Sequence, residues 1–180
     1  MGKMLQVLAG GVYGQDAEGE RPAFAVDSSP LFDALTDLVT EAAGPVLVFA
    51  PYRISAAITH MQMVKAGFRS AVVTGATTGQ QRKEIFECVQ AGDLDTMVAI
   101  PQTVSHGLTL TKSNTIVWLS PPMSYETYEQ ANARIYRLGQ TRKCVIYRIT
   151  QNALTRELYK RLDTRATLQA TILRLMETER

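Results

Sequence analysis

A chain of 180 residues, 46% hydrophobic and 20% charged, fits one ordinary domain with a small appendage and can bury most of its apolar surface. No stretch approaches the ~18 consecutive apolar residues of a membrane span, Met1-Gly2-Lys3-Met4 has no apolar export core, and Cys88 and Cys144 stand alone. These features exclude a disulfide framework and a cysteine-based metal site, and the expectation is a soluble chain in the cytoplasm of a bacterial or phage-infected host cell, with no membrane contact.

Residues 1–26, with Gly10-Gly11, Gly14 and Gly19, read as a linker with little structure of its own. Ser29-Pro30 supplies an N-cap and first-turn proline for a helix over 31–43, which Gly44-Pro45 ends. Val46 to Ala50, Ala71 to Thr74, Met97 to Ile100, Thr115 to Leu119 and Val145 to Ile149 are short, nearly continuous apolar runs. Such runs belong to strands covered on both faces. Helical spacing falls between them over 55–66, stopped by Gly67, and over 80–91, stopped by Gly92. Thr78-Gly79-Gln80-Gln81 carries the Thr-x-x-Gln signature of a capping box. After Pro121-Pro122, Ser124 can cap a helix that runs to Leu138, before Gly139. A long mixed-charge helix over 153–177 is expected to lie outside the sheet or on a neighbouring lobe.

This order predicts an α/β fold, a mainly parallel sheet flanked by helices, with ligands at the carboxyl ends of the strands. The expected organisation is a linker over 1–26, a lobe over 27–152 and a helical extension over 153–180.

The formal net charge of +2 is too small to advertise nucleic-acid binding, so a basic footprint must be sought locally. Gln130, Arg134 and Arg137 are spaced by four and then three residues, which on a helix places them on one face without an intervening carboxylate. Two guanidiniums and an amide in a row suit a polyphosphate. A solvated basic face or a set of surface ion pairs would show the same spacing.

Gln130-Ala131-Asn132-Ala133-Arg134-Ile135-Tyr136-Arg137-Leu138-Gly139-Gln140 resembles the sixth motif of Swi/Snf-type ATPases of helicase superfamily 2, Gln-Ala-x-x-Arg-x-x-Arg-x-Gly-Gln, at every fixed position. Val46 to Arg53 resembles the fourth motif, and Val98 to Leu110, with Ser105-His106-Gly107-Leu108, the fifth. His-Gly-Leu and Ala-Asn-Ala-Arg, with no insertions, resemble the phage-encoded branch. Thr109 and Pro30 depart from residues common in the family.

The resemblance implies a RecA-like three-layer fold and the second lobe of a two-lobe motor, with ATP and Mg2+ held by a first, N-terminal lobe that this chain lacks. It implies Arg137 as arginine finger and Arg134 as its catalytic partner on the phosphates. Gln130 would orient nucleotide or water, and Gly107 would admit the nucleotide to the backbone. Arg53, Gly75, Arg82 and Thr103 would contact the phosphate backbone of double-stranded DNA without regard to sequence. Leu5 to Tyr13 resembles the segment joining the lobes, so the chain is expected to be a fragment of the motor. It contains neither a G-x-x-x-x-G-K-[ST] loop nor an Asp-Glu box, so tight nucleotide binding and hydrolysis are not expected of it alone. The competing reading is a stand-alone module that holds nucleic acid or protein without catalysis.

His60 and His106 have no partner at ligand spacing, and no metal site is expected. Trp118, Tyr125, Tyr128 and Tyr136 read as core packing rather than a base-stacking platform.

Overall fold

Apolar runs too short for helices and too continuous for a one-sided sheet form the centre of the molecule. The computed structural model describes residues 2–14, 22–104 and 110–178. Strands β3 (Val46–Phe49), β4 (Ser70–Val73), β5 (Thr96–Ala99), β6 (Thr115–Trp118) and β7 (Val145–Arg148) form a sheet in the order β4-β5-β3-β6-β7. Every pairing in it is parallel, with Val46 opposite Thr96 on one side and Thr115 on the other. The three central strands are buried throughout, while β4 and β7 at the edges are partly exposed.

Alternation along these strands divides the core into two layers. Val46, Val48, Val98 and Val117 face α2 (Ser29–Glu41) and α3 (Arg53–Lys65), through Leu35, Val39, Ala56 and Met63. Leu47, Phe49, Met97, Ile116 and Trp118 face the opposite layer, built from α4 (Gly79–Ala91), α5 (Tyr125–Asn132) and α6 (Ala153–Thr178). The fold is therefore the expected three-layer α/β arrangement.

The capping box forms as expected: the Gln81 amide donates to Thr78 Oγ1, the Thr78 amide donates to Gln81 Oε1, and Gly92 closes α4 at φ +86°. Ser124 caps α5, its hydroxyl accepting from the Thr127 amide. At α2 the chemistry is shifted by one residue. Ser28 occupies the N-cap, and Asp27 accepts both the amide and the hydroxyl of Ser29. Those bonds hold the Asp27 carboxyl below its ordinary range.

Three expectations are corrected. Among the described residues the amino-terminal segment is built, not loose: α1 (Gly2–Leu8) leads into β1 (Gly11–Tyr13), which pairs antiparallel with β2 (Ala23–Ala25). Its glycines serve geometry. Gly10 takes φ +90°, and a Cβ on Gly11 would lie 2.6 Å from Ile58 and 2.9 Å from Ile54 of α3, so bare backbone is what lets the hairpin dock. Next, α6 does not stand outside the sheet. Tyr159 and Leu162 are buried in the core layer on it, and the Tyr159 hydroxyl lies 3.5 Å from the Trp118 carbonyl. Arg148 on β7 pairs with Asp163 at 2.8 Å and lies over the rings of Tyr128 and Tyr159, tying α5, β7 and α6 together. The third correction, the length of α5, belongs to the site.

Candidate functional site

Helix α5 ends at Asn132, not Leu138, and Arg134 and Arg137 lie in the turns that follow. The backbone tightens there, the Arg134 amide donating to the Ala131 carbonyl and the Ile135 amide to that of Asn132, and the carbonyls beyond are claimed from elsewhere. A continued helix would give the Arg134 carbonyl to Leu138 and that of Ile135 to Gly139. Instead the Leu110 amide takes the first at 3.3 Å, and Gln140 Nε2 and the Cys144 thiol approach the second at 3.4 and 3.6 Å. Ile135 is fully buried, and Gly139 takes φ +95°. The shared helix face expected of Gln130, Arg134 and Arg137 is therefore not formed; a compact turn carries the two arginines instead.

The two guanidiniums have different surroundings. Arg134 is 5% exposed, and its Nε donates to the Gln130 carbonyl at 3.1 Å. Burial, and after it the like charge of Arg137, lower its pKa from the ordinary value. Arg137 is exposed, flanked by Tyr136 at 61% and Leu138 at 102% exposure. Tyr136 thus departs from the core role expected of it, whereas Trp118 and Tyr128 are buried and Tyr125 packs against them. Two neighbouring guanidiniums of unequal burial are an arrangement that an anion can bridge. The side-chain amide of Gln130 donates to Glu126 Oε1 at 3.0 Å, a carboxylate one turn upstream that the spacing argument did not include.

Gly107 and His106 lie outside the described residues, so the fifth-motif candidate has no geometry here. Of the other candidates, Gly75, Arg82 and Thr103 border the loop that leaves β4. Gly75 follows β4, and Arg82 folds back from the first turn of α4 to place Nη2 3.4 Å from the Thr77 carbonyl in the same loop. The Thr103 hydroxyl lies 2.7 Å from the Ile100 carbonyl and 3.3 Å from that of Val73, bridging the ends of β5 and β4. Arg82 Nε is buried without a hydrogen-bond partner among the described residues. Arg53 is exposed at the start of α3, beyond β3, and no described contact joins it to the other three. All four follow the carboxyl ends of adjacent strands. The turn carrying Arg134 and Arg137 packs instead against Leu110–Ser113, the segment entering the amino end of β6.

Sequence reasoning passed over Asn132, whose side-chain oxygen accepts the buried Trp118 indole N–H at 2.9 Å, and the bonding of Gln140 and Arg142 described below. Both lie in or beside the sixth-motif stretch, but their partners are distant in sequence. His60 Nδ1 lies 3.0 Å from Ser70 Oγ, joining α3 to β4, with its pKa lowered by burial.

Residues 30–139 match the helicase conserved C-terminal domain. Protein CHROMATIN REMODELING 24 of Arabidopsis thaliana is 25% identical over 156 residues, 86% of this chain and 14% of that protein. SNF2 domain-containing protein ENL1 of Oryza sativa subsp. japonica is 27% identical over 132 residues, 72% of this chain and 13% of that protein. The chain thus spans about a seventh of the length of these relatives. Among solved structures, the C-terminal part of the Fun30 ATPase domain superposes with a TM-score of 0.66 at 19% identity, covering 72% of this chain and 44% of that one. The C-terminal domain of the DEAD-box protein Dbp5 gives 0.64 at 16% identity, covering 76% and 78%. These last two likenesses are of fold.

Proposed function

The chain belongs to the helicase conserved C-terminal domain family, with Swi/Snf-type relatives, and from that premise we propose that it is the second lobe of an ATP-driven translocase on double-stranded DNA. The first lobe would hold ATP and Mg2+, and this one would present Arg137 across the cleft. The observation that carries the reading is the complete Gln130–Gln140 motif, the end of α5 and the turn after it, with one exposed and one buried guanidinium. Their mutual repulsion would be relieved by a polyphosphate, and Arg137, free of burial, can reach a γ-phosphoryl held by another body. Arg134 would steady the phosphates from its buried position. Gln130 would exchange its bond to Glu126 for one to nucleotide or water. The resemblance of Val98 to Leu110 to the fifth motif adds Gly107 to this reading, and its His-Gly-Leu favours a phage-encoded branch.

Complementation tests the proposal. The chain alone should show no ATP turnover above buffer, because its sequence has neither a phosphate-binding loop nor an Asp-Glu pair. Combined with an ATP-binding lobe of a Swi/Snf relative, covalently or in trans, it should give hydrolysis stimulated by double-stranded DNA. Failure of every such pairing to exceed the first lobe alone would overturn it.

Arg53, Gly75, Arg82 and Thr103, at the carboxyl ends of β3, β4 and β5, are proposed to follow the DNA phosphates. Contacts of this kind release counterions, so affinity should fall linearly with salt on logarithmic axes, at a slope of about −0.9 per phosphate neutralised. Arg53→Ala and Arg82→Ala should each reduce that slope by about 1, equally for unrelated sequences. A titration in which both variants keep the parent slope would remove these residues from the DNA path.

A further inference from the structure

The side chain of Gln140 lies at a junction. Its Nε2 donates to the Ser113 carbonyl at 2.8 Å and the Thr111 carbonyl at 3.2 Å, with that of Ile135 at 3.4 Å, while Oε1 accepts from the Arg142 amide at 3.1 Å. The Arg142 guanidinium donates to the Lys112 and Ala43 carbonyls. With the Leu110 amide bound to the Arg134 carbonyl, residues 110–113 are gripped along their length by residues 134–142. The Gln140 amide also donates to the Arg137 carbonyl at 3.0 Å, so the residue that holds this segment closes the turn bearing Arg137 as well.

An uncharged amide has two donor hydrogens and one acceptor oxygen, and here all are matched to backbone groups. We infer that Gln140 is a positioning residue: it pins the Arg134–Gln140 turn to the segment that follows the fifth-motif residues, and thereby fixes where the Arg137 guanidinium stands. The inference rests on reading Arg137 as the finger. Because Gln140 carries no charge and touches no phosphate in this scheme, its loss leaves nucleotide binding in place and acts on turnover. Misplacement of a catalytic group by about 1 Å costs roughly 10²-fold.

Three substitutions separate positioning from bulk. Gln140→Met keeps length and volume but removes both donor and acceptor. Gln140→Glu keeps the acceptor and turns an oxygen against the Thr111 and Ser113 carbonyls. Gln140→Lys restores a donor. In the two-lobe assembly, Gln140→Met should lower kcat by roughly 10²-fold with KM for ATP held within about twofold. Gln140→Glu should do at least as much, and Gln140→Lys should recover part of the rate. On an Arg137→Ala background, Gln140→Met should have no further effect, since its action runs through that arginine. Each variant is checked for folding by thermal melting. Should Gln140→Met not fold, the Lys and Glu variants carry the comparison. Full turnover by Gln140→Met, or a Gln140→Met loss that persists undiminished without Arg137, overturns the inference. An inactive Arg137→Ala beside a fully active Gln140→Met overturns it alone, whereas normal turnover by Arg137→Ala overturns the finger reading and this inference together.

Discussion

Replacing Arg137 with alanine should lower ATP turnover of the two-lobe assembly by about 10³-fold or more while nucleotide affinity and melting temperature stay near those of the parent. The side chain is exposed, so its removal leaves no cavity and strands no buried partner. As the proposed finger it would act on charge that develops as the phosphoryl group transfers, and so would affect kcat far more than ground-state binding. A factor of 10³ corresponds to roughly 4 kcal/mol of transition-state stabilisation. Arg137→Lys should recover little, because an ammonium cannot reproduce the planar fork of a guanidinium. Steady-state hydrolysis with a nucleotide-binding titration decides the matter: normal turnover by Arg137→Ala removes it from the chemistry, and a loss confined to affinity makes it a binding residue only.

The largest effect on stability should come from Trp118→Ala. Trp118 is fully buried, with the ring of Phe49 at 4.8 Å and that of Tyr128 at 5.0 Å, and its indole N–H satisfies Asn132. Truncating such a residue costs about 3–5 kcal/mol through lost burial and the cavity left behind. The stranded Asn132 oxygen adds to that. For a chain of this size the melting temperature should fall by roughly 10 °C, read by circular dichroism. Trp118→Phe should cost less, since it keeps an aromatic ring and loses mainly the hydrogen bond. Trp118 is the sole tryptophan of the sequence, so parent fluorescence reports directly on this layer of the core. A melting temperature unchanged by the alanine substitution would contradict the placement of Trp118.

The five sheet strands were legible to within a residue, the three central ones because burial on both faces writes them as unbroken apolar runs. Helix α4 was legible from Thr78, Gln81 and Gly92, whose side chains and backbone act locally. What escaped was set at a distance. The end of α5 depends on Leu110, Gln140 and Cys144 claiming carbonyls that helical spacing assigns elsewhere. The amino-terminal β1 and β2 have three residues each, too short for alternation to register, and Gly11 serves close packing on α3, a use that composition cannot distinguish from looseness. In α6, Thr155, Tyr159 and Leu162 recur at helical spacing, but charges on the remaining faces obscured the stripe. The family was readable from the stretch that holds Gln130, Arg134 and Arg137, while the arrangement of these side chains depended on tertiary contacts.

The pairing of β3 with β6 has a mechanical meaning. Seven of the eight side chains in these two strands are wholly withdrawn from solvent, and the eighth, Thr115, is nearly so. A close-packed interior has little compliance. The strands separate Arg53, beyond the carboxyl end of β3, from the Arg137 turn seated near the amino end of β6. They join the two as a short strut whose length thermal motion scarcely changes. Force applied at one end would therefore arrive at the other as displacement of the whole body.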